Sequence, residues 1–487
     1  MRHGKAKNRI MLVFLIMLVL GAVICMIEFL NSRQQGKSLI GSTKKETIRL
    51  WYTDDALTDY LNNKALAFYD KTDIRVETRL VSGVEYLEAI NNASLGKTQD
   101  EVSGEKLPAP DVYIVTNDSL EKAYLAGLAL DITDRDIIID DGRFPQSALN
   151  SICYDGKFIG CPMYFETSAL VYNKTYLEEI AASANESNGN TDSEASDMEM
   201  QVAEISADDL IPDSIADILN FADLYSVPEN VENFFRWDVS DIFYNYFFIG
   251  NYITVGGRAG DNENDINIYN TESVSTLKVY QELKQFFSIE TKESDYNAII
   301  QEFIDGKTIY TIATSDCIRK IDQAAADGEF KYEYGVAKLP NINSELVTKG
   351  MSITDTLVIN GYSDHKASAS EFVKYLVNEQ NSDLFEMTGK ISAVKQENYS
   401  DKHVEGFVMN YEDSVPIPKM VDTSNFWVEL EICFAKIWNG TDANTQLRML
   451  SEKIKTQLAG SPVEEVPIED PKVELLPAVE YEEIVEG

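Results

Sequence analysis

The sequence is poor in the side chains that most enzymes use for proton transfer and covalent catalysis. Its 487 residues include three histidines and five cysteines. His3 lies in the basic N-terminal segment, His365 in a polar turn and His403 in a charge-rich loop. No Ser-His-Asp grouping, G-x-S-x-G elbow or H-E-x-x-H helix is present. Two carboxylates alone would serve a glycosidase, but Asp54, Asp55, Asp118 and Glu166 equally suit hydrogen bonding to sugar hydroxyls, so no enzyme is predicted. Basic residues are also scarce. Lys and Arg number 42 against 81 Asp and Glu, a net charge of −39. That balance excludes nucleic-acid binding, which needs clustered cations to displace counterions, and it disfavours docking on anionic lipid.

Cysteine gives neither a disulfide framework nor a zinc spacing. Cys25 sits in an apolar segment. A two-residue turn at Asp155-Gly156 sets Cys153 opposite Phe158 rather than Cys161, and Cys317 and Cys433 are distant in sequence. Free thiols are expected. A calcium loop is excluded as well: Asp261, Glu263, Asp265 and Glu272 fit an EF-hand frame, but Ile266 stands where the turn needs Gly. A surface hairpin followed by a helix capped at Asn270 is expected there. No metal or cofactor is predicted.

The chain does have enough apolar residues, 44%, to build sizeable cores. Residues 1–9 are basic, and an uninterrupted apolar run from Ile10 to Ile27 follows. Its length suits one bilayer crossing, and the charges before it keep the start in the cytoplasm. Residues 10–30 are therefore read as an uncleaved membrane anchor, with a processed export signal as the alternative. No small residue precedes Cys25 as lipid attachment would want. Residues 31–44 form a linker, and the body faces the outside. Residues 178–209 are rich in Ala, Ser, Asn, Glu and Asp, and no Lys or Arg occurs between Lys174 and Arg236; a flexible acidic insert is expected. Residues 461–487, with four prolines and nine acids, read as a disordered acidic tail.

Between these segments the hydrophobic period alternates. Ile48 to Trp51 form a buried strand. Leu57, Leu61, Ala65 and Phe68 recur at helical spacing, and Ile74, Val76, Thr78 and Leu80 at strand spacing. Strand, helix and strand without hairpin spacing imply a parallel crossover. The rhythm recurs around 279–313, with Gly306 as a helix stop, and around 357–376; a last helix ends at Gly460. Open α/β sheets follow, and such sheets place ligands beyond the carboxyl ends of their strands. That singles out Tyr52, Thr53, Asp54 and Asp55 after the first strand, Asn117 and Asp118 after Val112–Val115, and Asp316 after the strand near 308–313.

Five stretches taken in order carry a resemblance. They are TIRLWYTDDALTDYLNNKALAFYDKTDIRVETRL, DVYIVTNDSLEKAYLAGLALDIT, YDGKFIGCPMYFETSALVYNK, AIIQEFIDGKTIYTIATSD with the following YGVAKLP, and SNFWVELEICFAKIWNGT. Together they resemble the extracellular solute-binding proteins of bacterial ABC importers, specifically the large carbohydrate-binding group. The resemblance implies a two-lobed periplasmic-binding-protein-like fold of type II, hinged by several crossovers and preceded by one N-terminal transmembrane helix. Lobe one would hold 45–165 and 355–392, and lobe two 168–350 and 395–460. Crossings fall near Phe165–Ser168, Met351–Thr354 and Ile391–Val394.

By the same resemblance Trp427 matches an aromatic that stacks on sugar in the maltose-binding branch, and Asp118 and Glu166 match polar contacts. Trp237 and Asp238 are expected as second-lobe contacts, and Trp51 and Trp438 as core. Val115 stands where that branch has an aromatic ring, and Ser119 and Glu431 where it has arginines, which argues against maltodextrin itself. A cleft holding Asp54, Asp118, Asp316 and Glu431 with little positive charge would repel phosphate or uronate. The expectation is a monomeric, membrane-tethered extracellular receptor that passes a solute, a neutral oligosaccharide, to ABC permease subunits. An amino sugar or polyamine is the alternative ligand, and an anchored sensor or cell-surface interaction protein the alternative role.

Overall fold

The computed structural model describes residues 46–473 except 82, 84, 100–105, 134–136, 138, 190–203, 288, 292–293, 380–382 and 400. The expected anchor or signal at 10–30, the linker, Cys25 and residues 474–487 of the tail lie outside the described residues. Among the described residues no helix is long and apolar enough to cross a membrane.

The opening unit forms as its periodicities require. Strand β1 (Thr47–Tyr52) leads through helix Thr58–Thr72 to β2 (Arg75–Leu80), and the two strands pair in parallel from Thr47 opposite Arg75 to Tyr52 opposite Leu80. Tyr60, Leu61, Ala65 and Phe68 form the buried stripe of that helix. Strand β3 (Val112–Thr116) joins the other edge of β1 in parallel. The hairpin β4 (Cys153–Tyr154) and β5 (Lys157–Phe158) turns on Asp155 and Gly156, both with positive φ, and sets Cys153 opposite Phe158.

Strand β6 (Cys161–Asn173) follows and organises the rest. After it come β7 (Asn233–Phe235), the hairpin β8 (Thr254–Val255) with β9 (Ile266–Asn267), β10 (Thr308–Thr314) and β11 (Tyr334–Ala337). The last three are β12 (Met351–Ile359), β13 (Ile391–Ser392) and β14 (Val415–Pro416). Cys161 to Thr167 of β6 pair with β12, which is antiparallel to β3; Ser168 to Tyr172 pair with β10. The first half of β6 thus completes the order β2-β1-β3-β12-β6, and its second half carries β10 and β7. One continuous backbone serves both sheets.

The helix before β10 ends at Gly306, whose φ of +74° and close approach to Tyr332 and Tyr176 leave no room for a Cβ. Asn270 caps helix Thr271–Phe287 by accepting from the Ser273 amide at 2.8 Å.

The apolar interior crosses the expected lobe boundary. The core beneath β1, β3 and β12 continues into Phe303, Cys317, Ile318, Phe407 and Tyr411, and Tyr411 lies flat on Phe165 at 3.8 Å. A separate cluster fills the region behind β7 and β10 with Trp237, Tyr280, Phe434 and Trp438. The described residues from Thr47 onward form one compact unit.

Two sequence expectations are corrected. Helix Lys174–Gly189 runs through the start of the predicted flexible insert, because Tyr176, Leu177, Ile180 and Ala181 give it a buried face. The acidic tail is docked as far as residue 473. Glu465 accepts from Lys455 at 2.6 Å and from Ser451, Asp470 pairs with Lys278 at 3.1 Å, and Ile468 and Val473 rest on the core. Specific partners convert what composition reads as repelling charge into attachment.

Lys419 is fully buried in the segment after β14. Its ammonium donates to the Asn150 carbonyl at 3.1 Å and to the Ala259 carbonyl. Close by, the Asp155 amide donates to Asp261 at 2.8 Å. Burial pulls the lysine down to about 8, against the attraction of Asp261.

Candidate functional site

A cleft of about 650 Å³ opens beyond the carboxyl ends of β3 and β10, where open α/β sheets place ligands. Asp118 enters from the turn after β3 and Glu166 from β6, close to where that strand changes sheets. Met351 and Ile353 of β12 and Ile417 after β14 supply apolar wall. The remainder comes from the segment 241–244, from Tyr296 and Asn297 opening helix Tyr296–Ile304, and from Thr314, Asp316, Lys320 and Trp427.

The aromatic rings are braced by neighbours. Trp427, half-buried at the start of helix Phe426–Trp438, meets Tyr246 edge-on at 5.5 Å and Phe426 at 5.1 Å. Tyr244 and Tyr296 stack at 4.8 Å with an interplanar angle of 14°. The Tyr296 hydroxyl donates to Asp316 at 2.7 Å, and Lys320 pairs with the same carboxylate at 2.7 Å while lying over the Tyr296 ring.

The acids fall into two kinds. Asp316 has Lys320, and Glu166 has Lys390 at 3.6 Å, which also meets Asp54 at 2.9 Å. Asp118 instead accepts from the Thr116 and Ser119 hydroxyls, and Asp241 from the Phe243 amide at 2.8 Å. Neither has an ion-pair partner among the described residues. Burial, then the nearby Asp238, outweighs that amide and lifts the Asp241 carboxyl above the usual range. Behind Glu166, burial pushes Asp355 up to about 7; Tyr164 and Lys390 oppose the shift and Glu166 adds to it. Burial works against the charge of Lys390, yet Asp54 and Glu166 hold it above the ordinary lysine range.

Of the predicted contacts, the cleft gathers Asp118, Glu166, Asp316 and Trp427. The others lie elsewhere. Tyr52 is buried under its own turn, donating to Thr58 at 3.0 Å; Thr53 and Asp55 are exposed outside the lining. Asn117 is a fully buried clamp that donates to the Ile417 carbonyl at 2.9 Å and accepts from the Thr354 amide at 3.0 Å. Glu431 is exposed one turn beyond Trp427 and does not reach the lining.

Trp237 is fully buried, stacked on Phe235 at 4.5 Å and edge-on to Trp438, with its indole N–H on Asn245 at 2.9 Å. Asp238 beside it is buried and accepts from Ser240 and Ser294. Both are packing residues. Trp237→Phe should therefore lower stability by about 1–3 kcal/mol, through the unpaired Asn245 oxygen and the lost ring volume. Ligand affinity should not change, as calorimetry on the variant would establish.

The expectation of little positive charge is also corrected, since Lys320 and Lys390 each sit on cleft carboxylates. Lys320 was legible as an i,i+4 partner of Asp316. Tyr244 carried a weak signal, lying in the aromatic-rich run FFRWDVSDIFYNYFF. Lys390 and Tyr296 carried none, because nothing local marks them as neighbours of Asp54 or Asp316.

Residues 68–404 match the family model described as bacterial extracellular solute-binding protein. The chain is 21% identical to the maltodextrin-binding protein MdxE of Bacillus subtilis (strain 168), across 90% of this chain and 95% of that protein. Two solved structures share the fold. One is an extracellular solute-binding protein from Staphylococcus aureus in complex with maltose, at TM-score 0.66 and 18% identity over 86% of this chain and 99% of that one. The other is the maltose-binding periplasmic protein MalE from Listeria monocytogenes, also with maltose, at TM-score 0.62 and 20% identity over 87% and 100%.

Proposed function

The chain belongs to the bacterial extracellular solute-binding protein family, and from that premise we propose that it captures a neutral oligosaccharide and delivers it to an ABC permease. The observation that carries this reading is a half-buried Trp427 ring on the same cleft as Asp118 and Glu166. A flat apolar face beside carboxylates suits a sugar, whose C–H face packs on the ring while its hydroxyls donate to the acids. The relatives' names support the class of ligand: MdxE is a maltodextrin-binding protein, and both solved structures hold maltose. Ligand capture would shift an equilibrium between lobe arrangements about β6, the start of β12 and β13, and the permease would read the closed one. Tethering through residues 10–30, as an anchor or before processing of an export signal, belongs to the same proposal.

A second reading has its own support. Asp118 and Asp241 meet no cation among the described residues, which suits an amino sugar or a polyamine. Thermal-shift titration separates the two. A ligand present at about 100 times its Kd stabilises the folded form by about 2.7 kcal/mol. Maltooligosaccharides should raise the melting temperature, and spermidine should not. A shift with spermidine and none with any neutral sugar would replace the first reading by the second.

A further inference from the structure

We propose that Lys390 sets the charge preference of the cleft, neutralising Glu166 and Asp54 so that an uncharged sugar is accepted in preference to a cationic one. The proposal rests on the carbohydrate reading above and names the residue that selects within it. Lys390 does not line the cleft; it acts through Glu166, which does. It is therefore a positioning residue.

The geometry is that of one ammonium shared by two carboxylates, with a third carboxyl group nearby. Its Nζ lies 2.9 Å from Asp54 in the turn after β1 and 3.6 Å from Glu166 of β6. It sits over the ring of Tyr164, also of β6, at 5.4 Å. Asp355 closes the group from β12, half-buried, with Tyr164 hydrogen-bonded to its carboxyl. No other lysine or arginine pairs with these three acids among the described residues. Asp54 also caps its own turn by accepting from the Ala56 amide at 3.0 Å, which fixes it in place. The ammonium is thus held at a rigid carboxylate, and the freer Glu166 is drawn to it.

Removing that charge leaves the Asp54 and Glu166 carboxylates without their shared cation, beside the carboxyl of Asp355, and such a group either takes up a proton or attracts a cation. The remaining wall would not compensate. Lys320 is committed to Asp316, and among the described residues Asp118 and Asp241 are met by hydroxyl and amide donors alone. With Lys390 present, Glu166 offers oxygen acceptors whose charge is offset. Without it, the same wall favours an ammonium on the ligand.

The test is calorimetric titration of the whole chain with maltotetraose and with the glucosamine tetramer, at about pH 6, where the amines are charged. In Lys390→Gln the amino-sugar to neutral-sugar affinity ratio should rise by about tenfold or more. Lys390→Arg should restore the original ratio, and about 1 M salt should erase the gain. Melting curves accompany each titration. If Lys390→Gln does not fold, Glu166→Gln should move the ratio the opposite way by a similar factor. An unchanged ratio in a folded Lys390→Gln, or in Glu166→Gln, overturns the role of Lys390 alone. Failure of the unaltered protein to bind either tetramer overturns the carbohydrate reading and this proposal with it.

Discussion

Replacing Trp427 by Ala should weaken oligosaccharide binding by about two orders of magnitude while leaving the unliganded melt nearly unchanged. Two features of its setting give this separation. The side chain is half-buried at the first turn of helix Phe426–Trp438, with one part against Tyr246 and Phe426 and the rest on the cleft. The helix itself is held by Leu430, Phe434, Ile437 and Trp438 as well as Phe426, and of these only Phe426 is a ring contact of Trp427. A ring that anchors a ligand at the centre of a binding surface is commonly worth about 2–3 kcal/mol, or about a hundredfold in Kd. Calorimetric titration with maltotetraose beside a melting curve reads both quantities. A melt that collapses together with binding would reassign Trp427 to the core; unchanged affinity would remove it from the site.

The second large effect is one of stability and concerns Asp355. Its carboxyl is pushed from an ordinary 3.8 to about 7 in the folded chain. The folded state therefore binds this proton more tightly than the unfolded state does. Below about pH 4 both states are protonated and the group has no net effect. As pH rises towards 7 the unfolded chain ionises first, so the folded form loses relative stability, and above 7 the full penalty applies. About three pKa units correspond to on the order of 4 kcal/mol. Asp355→Asn removes the titration while retaining a group that bonds to Tyr164. The variant should gain stability over the parent at pH 8 by several kcal/mol and gain little at pH 4, as denaturant unfolding at the two pH values will show. An advantage independent of pH would mean that Asp355 is not the titrating group.

Much of this organisation was legible in the sequence. The first βαβ unit, the turn at Asp155-Gly156 with Cys153 opposite Phe158, and the stops at Gly306 and Gly460 follow from local chemistry, and local chemistry decides them in the folded chain. Asp118, Glu166, Asp316 and Trp427 fell on the cleft because strand ends and a resemblance placed them there. What failed depended on partners remote in sequence. Trp237 looks the same whether its ring faces a ligand or Trp438, and Asn117 is a clamp only because Ile417 and Thr354 arrive from far along the chain. Composition misjudged the acidic tail because it sums charge and does not see that Lys455 and Lys278 wait for particular carboxylates.

The passage of β6 from one sheet to the other has a thermodynamic consequence. Thr167 pairs with Ser352 of β12 and Ser168 with Thr314 of β10, so releasing either sheet strips an edge from its neighbour within a single peptide step. The regions on either side of such a strand should not melt as independent bodies. Calorimetry of the unliganded chain should give one endotherm whose van't Hoff and calorimetric enthalpies agree, with the pair behaving as one cooperative unit.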